Sequence, residues 1–413
     1  MRKKNIKILL AGLLGAALTL PMGQALPAMA AATGGTPDSP AEACFSKTLM
    51  VPAGVDDPAS GSFAFQWSKA ELDGNTSDAG LLPDLPAISL DPLAGDASPE
   101  TVGGSLAYSV SSPNIVAGVT FPQPGIYTYG LKEAQGYSGS LPSTDSIRYS
   151  AAEYKVMVQV ALAGDGSTYV ENIVVDQAKG DGGSPGDGKT APDPDGSTPE
   201  ANPFTFTNGY VRTGGGTTPG GQEGVLELSK RIANKWTGAA PGGVATSFPF
   251  GIAVTKAASE VGDPTYHYET FDSDGTSTGA GTISFAAGAA TATASITLKE
   301  GEYAVFKDFP VGTAYTVTEN GGTVLPSYNT SYEVTDPDGT ATTVPGMATG
   351  SRTIADSTGA YGVACTNRYY STEVPTGIVM DSLPFLGLIA VALSGAAAFV
   401  IARRRRARDA SGS

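Results

Sequence analysis

Two lysines stand where a charge is expensive. Lys47 lies in Phe45-Ser46-Lys47-Thr48-Leu49 and Lys230 in Leu228-Ser229-Lys230. By the two-residue alternation of a strand, Lys47 shares a face with Phe45 and Leu49. Asn208, in Phe204-Thr205-Phe206-Thr207-Asn208, shares a face with Phe204 and Phe206 in the same way. An amine and a carboxamide pointing into an apolar core are costly unless paired. A glutamate follows an aromatic strand in each half of the chain, Glu133 after Tyr127-Thr128-Tyr129 and Glu319 after Tyr315-Thr316-Val317. Burial disfavours charge, which lowers a lysine pKa and raises that of a carboxyl. Neutralising a lysine near pH 7 takes a drop of ~3 units, about 4–5 kcal/mol, which a fully apolar site can impose. A neutral amine is a nucleophile and a protonated carboxyl is a general acid.

The elements that carry these residues follow one plan, used twice. Each half opens with a lysine-bearing strand and continues with a Phe-x-Phe strand, Phe63-Ala64-Phe65 or Phe248-Pro249-Phe250. Each then places its glutamate and closes on Thr-Asn-x-Tyr, Thr207-Asn208-Gly209-Tyr210 or Thr366-Asn367-Arg368-Tyr369. Four features repeated in order indicate a duplicated unit. Between residues 40 and 370 no stretch sustains a helical apolar period. Short alternating runs separated by Gly, Pro and Asp predict an all-β chain of two tandem β-sandwiches, residues 42–212 and 223–370. Two polar insertions, Leu72 to Glu100 and Gly180 to Asn202, read as surface loops, and residues 213–222 read as an interdomain linker.

The ends carry addresses. A basic start (Arg2, Lys3, Lys4, Lys7), an apolar run from Ile8 to Leu20 and Ala28-Met29-Ala30 read as a secretory signal peptide over residues 1–30. At the other end, Glu373-Val374-Pro375-Thr376-Gly377 precedes 19 uncharged residues, Leu383 to Ile401, and then Arg403 to Arg406 and Arg408. That run is long enough to cross a bilayer as one helix, and the arginines orient it with their end cytoplasmic. Between the leader and Thr376 lie 16 basic and 38 acidic residues, a net charge near −22. Nucleic acid and anionic lipid are therefore poor partners. Only two cysteines occur, so no disulfide framework supports an extracellular life.

The order of motif, apolar span and basic end over residues 373–413 resembles the cell-wall sorting signal of Gram-positive surface proteins. In that family a sortase cysteine attacks the Thr–Gly carbonyl and passes the acyl group to an amine. The usual pentapeptide is Leu-Pro-x-Thr-Gly; the tail here is similar to those of streptococcal shaft pilins, which dedicated pilus sortases handle. Both halves also resemble the streptococcal pilin isopeptide-linkage domains, immunoglobulin-like relatives of the collagen-binding protein B-type repeat. The resemblance implies that the first-strand lysine bonds to the last-strand asparagine with help from a buried glutamate. The implied sets are Lys47, Glu133, Asn208 and Lys230, Glu319, Asn367. In that chemistry the neutral amine attacks the carboxamide carbon, while the protonated glutamate polarises the carbonyl and passes a proton to departing ammonia. Each bond would close a loop of 161 or 137 residues and add roughly 5 kcal/mol by the entropy estimate used for disulfides.

Three functions are compatible with these features. The first is a structural subunit of a sortase-assembled pilus, joined through Thr376 to a lysine of the next copy and finally to peptidoglycan, with a transient membrane anchor. The similar shaft pilins carry their acceptor shortly before the closing strand of the first domain, where Lys189 and Lys179 lie; Lys189 is favoured because it sits in the exposed insertion. No Tyr-Pro-Lys motif is present. The second is a monomeric wall-anchored adhesin, and the third a wall hydrolase, which would need a catalytic constellation outside the two sets. No cofactor or metal is expected. His267, in Tyr266-His267-Tyr268, lacks partners for zinc, and Asp272-Ser273-Asp274-Gly275 and Asp336-Pro337-Asp338-Gly339 read as turns rather than calcium loops. Alternation points Cys365 inward as a core thiol and Cys44 outward.

Overall fold

Every strand predicted above forms, and the way they pair is what makes the fold specific. The computed structural model describes residues 34–234, 247–320 and 328–369. Among them the chain is nearly all-β, with helix limited to a 3-10 turn at Thr76–Leu81 and one α-turn at Pro92–Gly95. In the first half a five-stranded sheet runs in the order Glu100–Val102, Ser105–Ser111, Ser46–Pro52, Thr205–Arg212, Asp145–Arg148. A six-stranded sheet packs on it, ordered Pro185–Thr190, Thr168–Lys179, Glu153–Leu162, Gly125–Tyr137, Phe63–Leu72, Ser89–Leu90. Their inner faces meet in one core in which the ring of Phe45 lies 4.5 Å from that of Phe65, and Tyr154 lies 5.1 Å from Phe206.

The second half repeats the scheme with a different strand count. A seven-stranded sheet is ordered Ser277–Ser284, Thr265–Phe271, Tyr303–Phe306, Leu226–Asn234, Tyr361–Tyr369, Tyr328–Thr335, Ala341–Pro345. A four-stranded sheet is ordered Thr291–Leu298, Phe248–Thr255, Ala314–Glu319, Arg352–Thr353. Leu228, Ile252, Val317, Tyr332 and Cys365 belong to the core these two enclose. In each half the opening strand pairs in parallel with the closing one, Ser46–Pro52 with Thr205–Arg212 and Leu226–Asn234 with Tyr361–Tyr369. A parallel pair cannot be joined by a tight hairpin. Here the rest of each half is the crossover, so first and last strands meet only when the whole unit has folded.

Three segments differ from the reading by composition. The insertion from Leu72 to Glu100 buries Leu82, Leu85, Ile88 and Leu90 in the first core, so it is a lid with apolar anchors rather than a loose loop. Part of the insertion from Gly180 to Asn202 forms the edge strand Pro185–Thr190, paired with Thr168–Lys179. Residues 213–222 are fastened to the second half: Gly216–Thr217 pairs with Glu223–Gly224, and the Tyr303 hydroxyl donates to the Gly220 carbonyl at 3.1 Å. Cys44, expected to point outward, is buried. The segment from Asp193 to Gly196 folds over it, with the Cys44 N–H donating to the Asp193 carbonyl at 2.7 Å. Period-two alternation describes one strand and knows nothing of a later loop that covers it.

The two halves touch closely. The Val311 N–H donates to the Arg212 carbonyl at 2.9 Å, and the Val311 side chain packs into the first core. The expected signal peptide (1–30), Val374 to Gly377 and the apolar run from Leu383 to Ile401 lie outside the described residues. No helix among the described residues is long and apolar enough to cross a membrane.

Candidate functional site

Two buried clusters stand out, one in each half, built by equivalent strands. Lys47 and Asn208 are fully buried and Glu133 is nearly so. The Lys47 Nζ lies 3.0 Å from Glu133 Oε2, and Asn208 Nδ2 donates to Glu133 Oε1 at 2.6 Å. In the second half Lys230 Nζ lies 2.8 Å from Glu319 Oε1, and Asn367 Nδ2 donates to the same oxygen at 2.9 Å. Lys230, Glu319 and Asn367 are buried to the same degree. All six residues singled out for this chemistry thus meet in two groups of three.

The sheet registers explain how. Across the parallel pair Lys47 faces Phe206, so Asn208 stands two residues on, on the same face. Lys230 faces Cys365, and Asn367 again stands two residues on. The glutamate comes from the opposite sheet, where Glu133 is the cross-strand partner of Phe65 and Glu319 that of Phe250. The first phenylalanine of each Phe-x-Phe lies against the amine: Nζ of Lys47 is 4.6 Å from the Phe63 ring centre and Nζ of Lys230 is 4.3 Å from that of Phe248. The repeated Phe-x-Phe therefore supplies one wall of the site and one register mark for the acid.

Burial lowers the Lys47 pKa to about 8, although the Glu133 carboxylate pulls it back up. Burial raises the Glu133 pKa, against the opposing pull of Lys47 and the Asn208 amide. Both partners are thereby moved toward their neutral forms, which is the protonation state a lysine nucleophile and a carboxylic acid need. Burial also pushes the Cys365 thiol up to about 12. Its sulfur is 3.6 Å from Lys230 Nζ, so it serves as a protonated wall of the second cluster.

One assignment changes. The sequence reading had the glutamate polarise the carboxamide carbonyl, but each glutamate touches the amide nitrogen instead. The carbonyl oxygens have other donors. Asn208 Oδ1 accepts the Ser150 N–H at 2.7 Å, and Asn367 Oδ1 accepts the Thr330 hydroxyl at 2.9 Å. Sequence alone missed Ser150, Thr330 and Asp181, whose carboxylate accepts the Ser150 hydroxyl and the Thr207 N–H. These partners come from strands and turns whose residues carry no motif.

The remaining candidates lie apart from the clusters. Lys189 is exposed on the edge strand Pro185–Thr190, which is ordered by pairing rather than being part of a loop. Lys179 ends the neighbouring strand and lies 3.5 Å from Glu153. His267 is exposed and paired with Asp308 at 2.7 Å. The two aspartate-rich segments close as turns, Asp272 Oδ1 accepting the Thr276 N–H at 2.8 Å and the Asp336 N–H donating to the Thr340 carbonyl at 2.9 Å.

Comparison with known proteins gives relatives for parts of this arrangement. A family described as a domain of unknown function (DUF7601) matches residues 224–369. A curated protein named Pilin, from Streptococcus pyogenes serotype M1, is 36% identical over 104 residues, 25% of this chain and 29% of that protein. The chain thus resembles a streptococcal pilin over that stretch and spans less than a third of its length. Among solved structures, a major pilin from Streptococcus pyogenes is 20% identical over 80% of this chain and 99% of that one, with a TM-score of 0.32. The major pilin protein T3.2 from Streptococcus pyogenes is 17% identical over 79% and 98%, with a TM-score of 0.30.

Proposed function

We propose that this protein is a structural subunit of a covalent cell-surface pilus. In this reading it consists of a leader (1–30), two immunoglobulin-like sandwiches (42–212 and 223–370) joined at 213–222, and a sorting signal (373–413). Each sandwich is closed by an intramolecular bond, Lys47 to Asn208 and Lys230 to Asn367. The observation that carries the reading is the duplicated lysine–glutamate–asparagine cluster, buried and set at the same register offset in both halves. Two ordinary ion pairs would have no reason to bring a carboxamide to the same carboxylate twice. Buried ion pairs also contribute little net stability on their own.

The reaction needs no cofactor. The uncharged lysine nitrogen attacks the asparagine Cγ. The protonated glutamate gives its proton to Nδ2 as the Cγ–Nδ2 bond breaks and ammonia leaves, and takes one back from the attacking nitrogen. Folding supplies proximity, and the event occurs once per chain, so the protein is its own substrate and not an enzyme in the ordinary sense. A pull entering at the first strand and leaving at the last then runs through a covalent bond that reductants cannot open. Polymerisation by a pilus sortase would join Thr376 of one copy to a lysine of the next, with Lys189 the favoured acceptor. The resemblance to a streptococcal pilin over a quarter of the chain supports the same class.

Wall extracts provide the test. A ladder of multimers that survives boiling in SDS is expected, and a single band at the monomer position would reduce the protein to a wall-anchored adhesin.

A further inference from the structure

The two clusters are not equivalent at the oxygen of the carboxamide, and we infer that Thr330 is a catalytic residue of the second crosslink, with no counterpart side chain in the first. The inference rests on the crosslinking reading above. In the second half the strand Tyr328–Thr335 runs along the closing strand and makes Thr330 the direct cross-strand partner of Asn367. Side chains of such a pair share a face and touch. The buried Thr330 hydroxyl lies 2.9 Å from Asn367 Oδ1 and 3.2 Å from Glu319 Oε2. It therefore bridges the acid to the atom on which negative charge develops.

In the first half the strand on that side, Asp145–Arg148, stops short of Asn208, its last pair being Arg148 with Gly209. The chain then turns, and the Ser150 backbone N–H fills the place of the hydroxyl. A backbone N–H is a fixed dipole that cannot hand over its proton. A hydroxyl can turn to follow the oxygen it bonds as the carbon becomes tetrahedral.

When Lys230 Nζ attacks Asn367 Cγ, the carbonyl π pair moves onto Oδ1. Thr330 donates its hydrogen bond to that oxygen. Collapse of the intermediate reforms the carbonyl, breaks Cγ–Nδ2 and releases ammonia. Glu319 Oε1, which touches both Lys230 Nζ and Asn367 Nδ2, takes the proton from the attacking nitrogen and delivers one to Nδ2, so that the departing group is neutral ammonia. Losing one donor to a developing oxyanion typically slows a reaction by about 100- to 1,000-fold.

The test is cell-free synthesis of the full chain, followed over time by tryptic digestion and mass spectrometry of the peptides bearing Lys47 and Lys230. Thr330→Val, nearly isosteric, is expected to slow the second crosslink by about 100-fold and leave the first at its normal rate. Thr330→Ser is expected to restore the second. The first crosslink and resistance to protease report that the variant is folded. Should Thr330→Val fail to fold, Thr330→Cys makes the same decision, since a thiol is a poor donor and slowing is again expected. Wild-type rates in whichever of the two variants folds would overturn the role of Thr330 while leaving the crosslink in place. Absence of the second crosslink from the unsubstituted chain would overturn the crosslinking reading itself.

Discussion

Lys47 and Asn208 lie on adjacent parallel strands two residues out of register, and Lys230 and Asn367 repeat that offset. The offset matters because residues directly opposite each other in a parallel pair are held apart by the ladder. A long lysine side chain, leaning along its strand over the core face, reaches forward to a short asparagine one pleat on. Tying the first strand to the last is also the longest loop each unit has to offer. The geometry favours a bond that constrains the whole sandwich, not a local staple.

The first prediction is a mass. The folded ectodomain should weigh about 34 Da less than its residues sum to, one ammonia of about 17 Da for each bond. Glu133→Gln should remove one deficit and Glu319→Gln the other, because each carboxylate serves only its own amine and amide. Peptide mapping locates the change. A full-mass ectodomain would leave two plain ion pairs.

The second concerns pH. In Asn208→Ala the Lys47 amine stays free, with a folded-state pKa about 8 against an ordinary 10.5. A lysine whose pKa is depressed by folding binds fewer protons in the native state than in the unfolded one. The resulting destabilisation is complete below about pH 8 and is relieved as pH rises toward 10.5. The stability gap between this variant and the unsubstituted protein should therefore narrow by about 1.4 kcal/mol per pH unit across that window. On the crosslinking reading, the same nitrogen in the unsubstituted protein is an amide and does not titrate. Guanidinium unfolding at half-unit steps reads the gap; a gap independent of pH contradicts the burial of a free amine.

How much of this was legible in the sequence depends on what each residue has to say locally. Lys47 and Lys230 were visible because a charged residue in phase with phenylalanine and leucine violates strand patterning, and the second copy repeated the violation. Asn208 and Asn367 were visible by the same rule. Thr330 and Ser150 were not, since a threonine in a strand is ordinary and a backbone N–H carries no residue type. Cys44 was misread because its cover, the segment from Asp193 to Gly196, arrives some 150 residues later. The lid residues Leu82, Leu85 and Ile88 were hidden by the prolines and glycines around them, which made an anchored segment look like a loop.

The third prediction separates two lysines ten residues apart. Lys189 is exposed on an edge strand and has no side-chain partner among the described residues, whereas Lys179 is engaged with Glu153. An unpaired amine on a sheet edge can be presented to an acyl-enzyme without breaking a contact. Lys189→Arg should abolish the SDS-resistant ladder in cells while leaving both mass deficits intact, and Lys179→Arg should leave the ladder unchanged. The reverse pattern would move the acceptor to Lys179.

The fourth prediction follows from the junction between the halves. Arg212, at the end of the first half's closing strand, bonds Asp145 and Asp57 on its own side and Asp356 on the other, at 2.9, 2.7 and 2.9 Å. Arg148 adds a pair to the fully buried Glu260 carboxylate at 3.1 Å. The backbones also meet: a Cβ on Gly209 would sit 1.7 Å from the Ser259 carbonyl oxygen, so glycine is required there. Burial alone would raise the Asp145 pKa, but hydrogen bonds from Arg212, Tyr210 and Thr144 outweigh it and hold the carboxyl below its ordinary range. Arg212→Ala leaves that buried carboxylate without its cation, at a cost of about 3–5 kcal/mol at neutral pH. A depressed carboxyl pKa gives stability that is present above the ordinary value and lost as pH falls through the folded one. The penalty for Arg212→Ala should accordingly shrink below about pH 4. Small-angle scattering should show the variant with a broader distribution of distances between its halves, and Gly209→Ala should do the same without altering any charge. An unchanged distance distribution in both would mean that this junction does not hold the two halves in place.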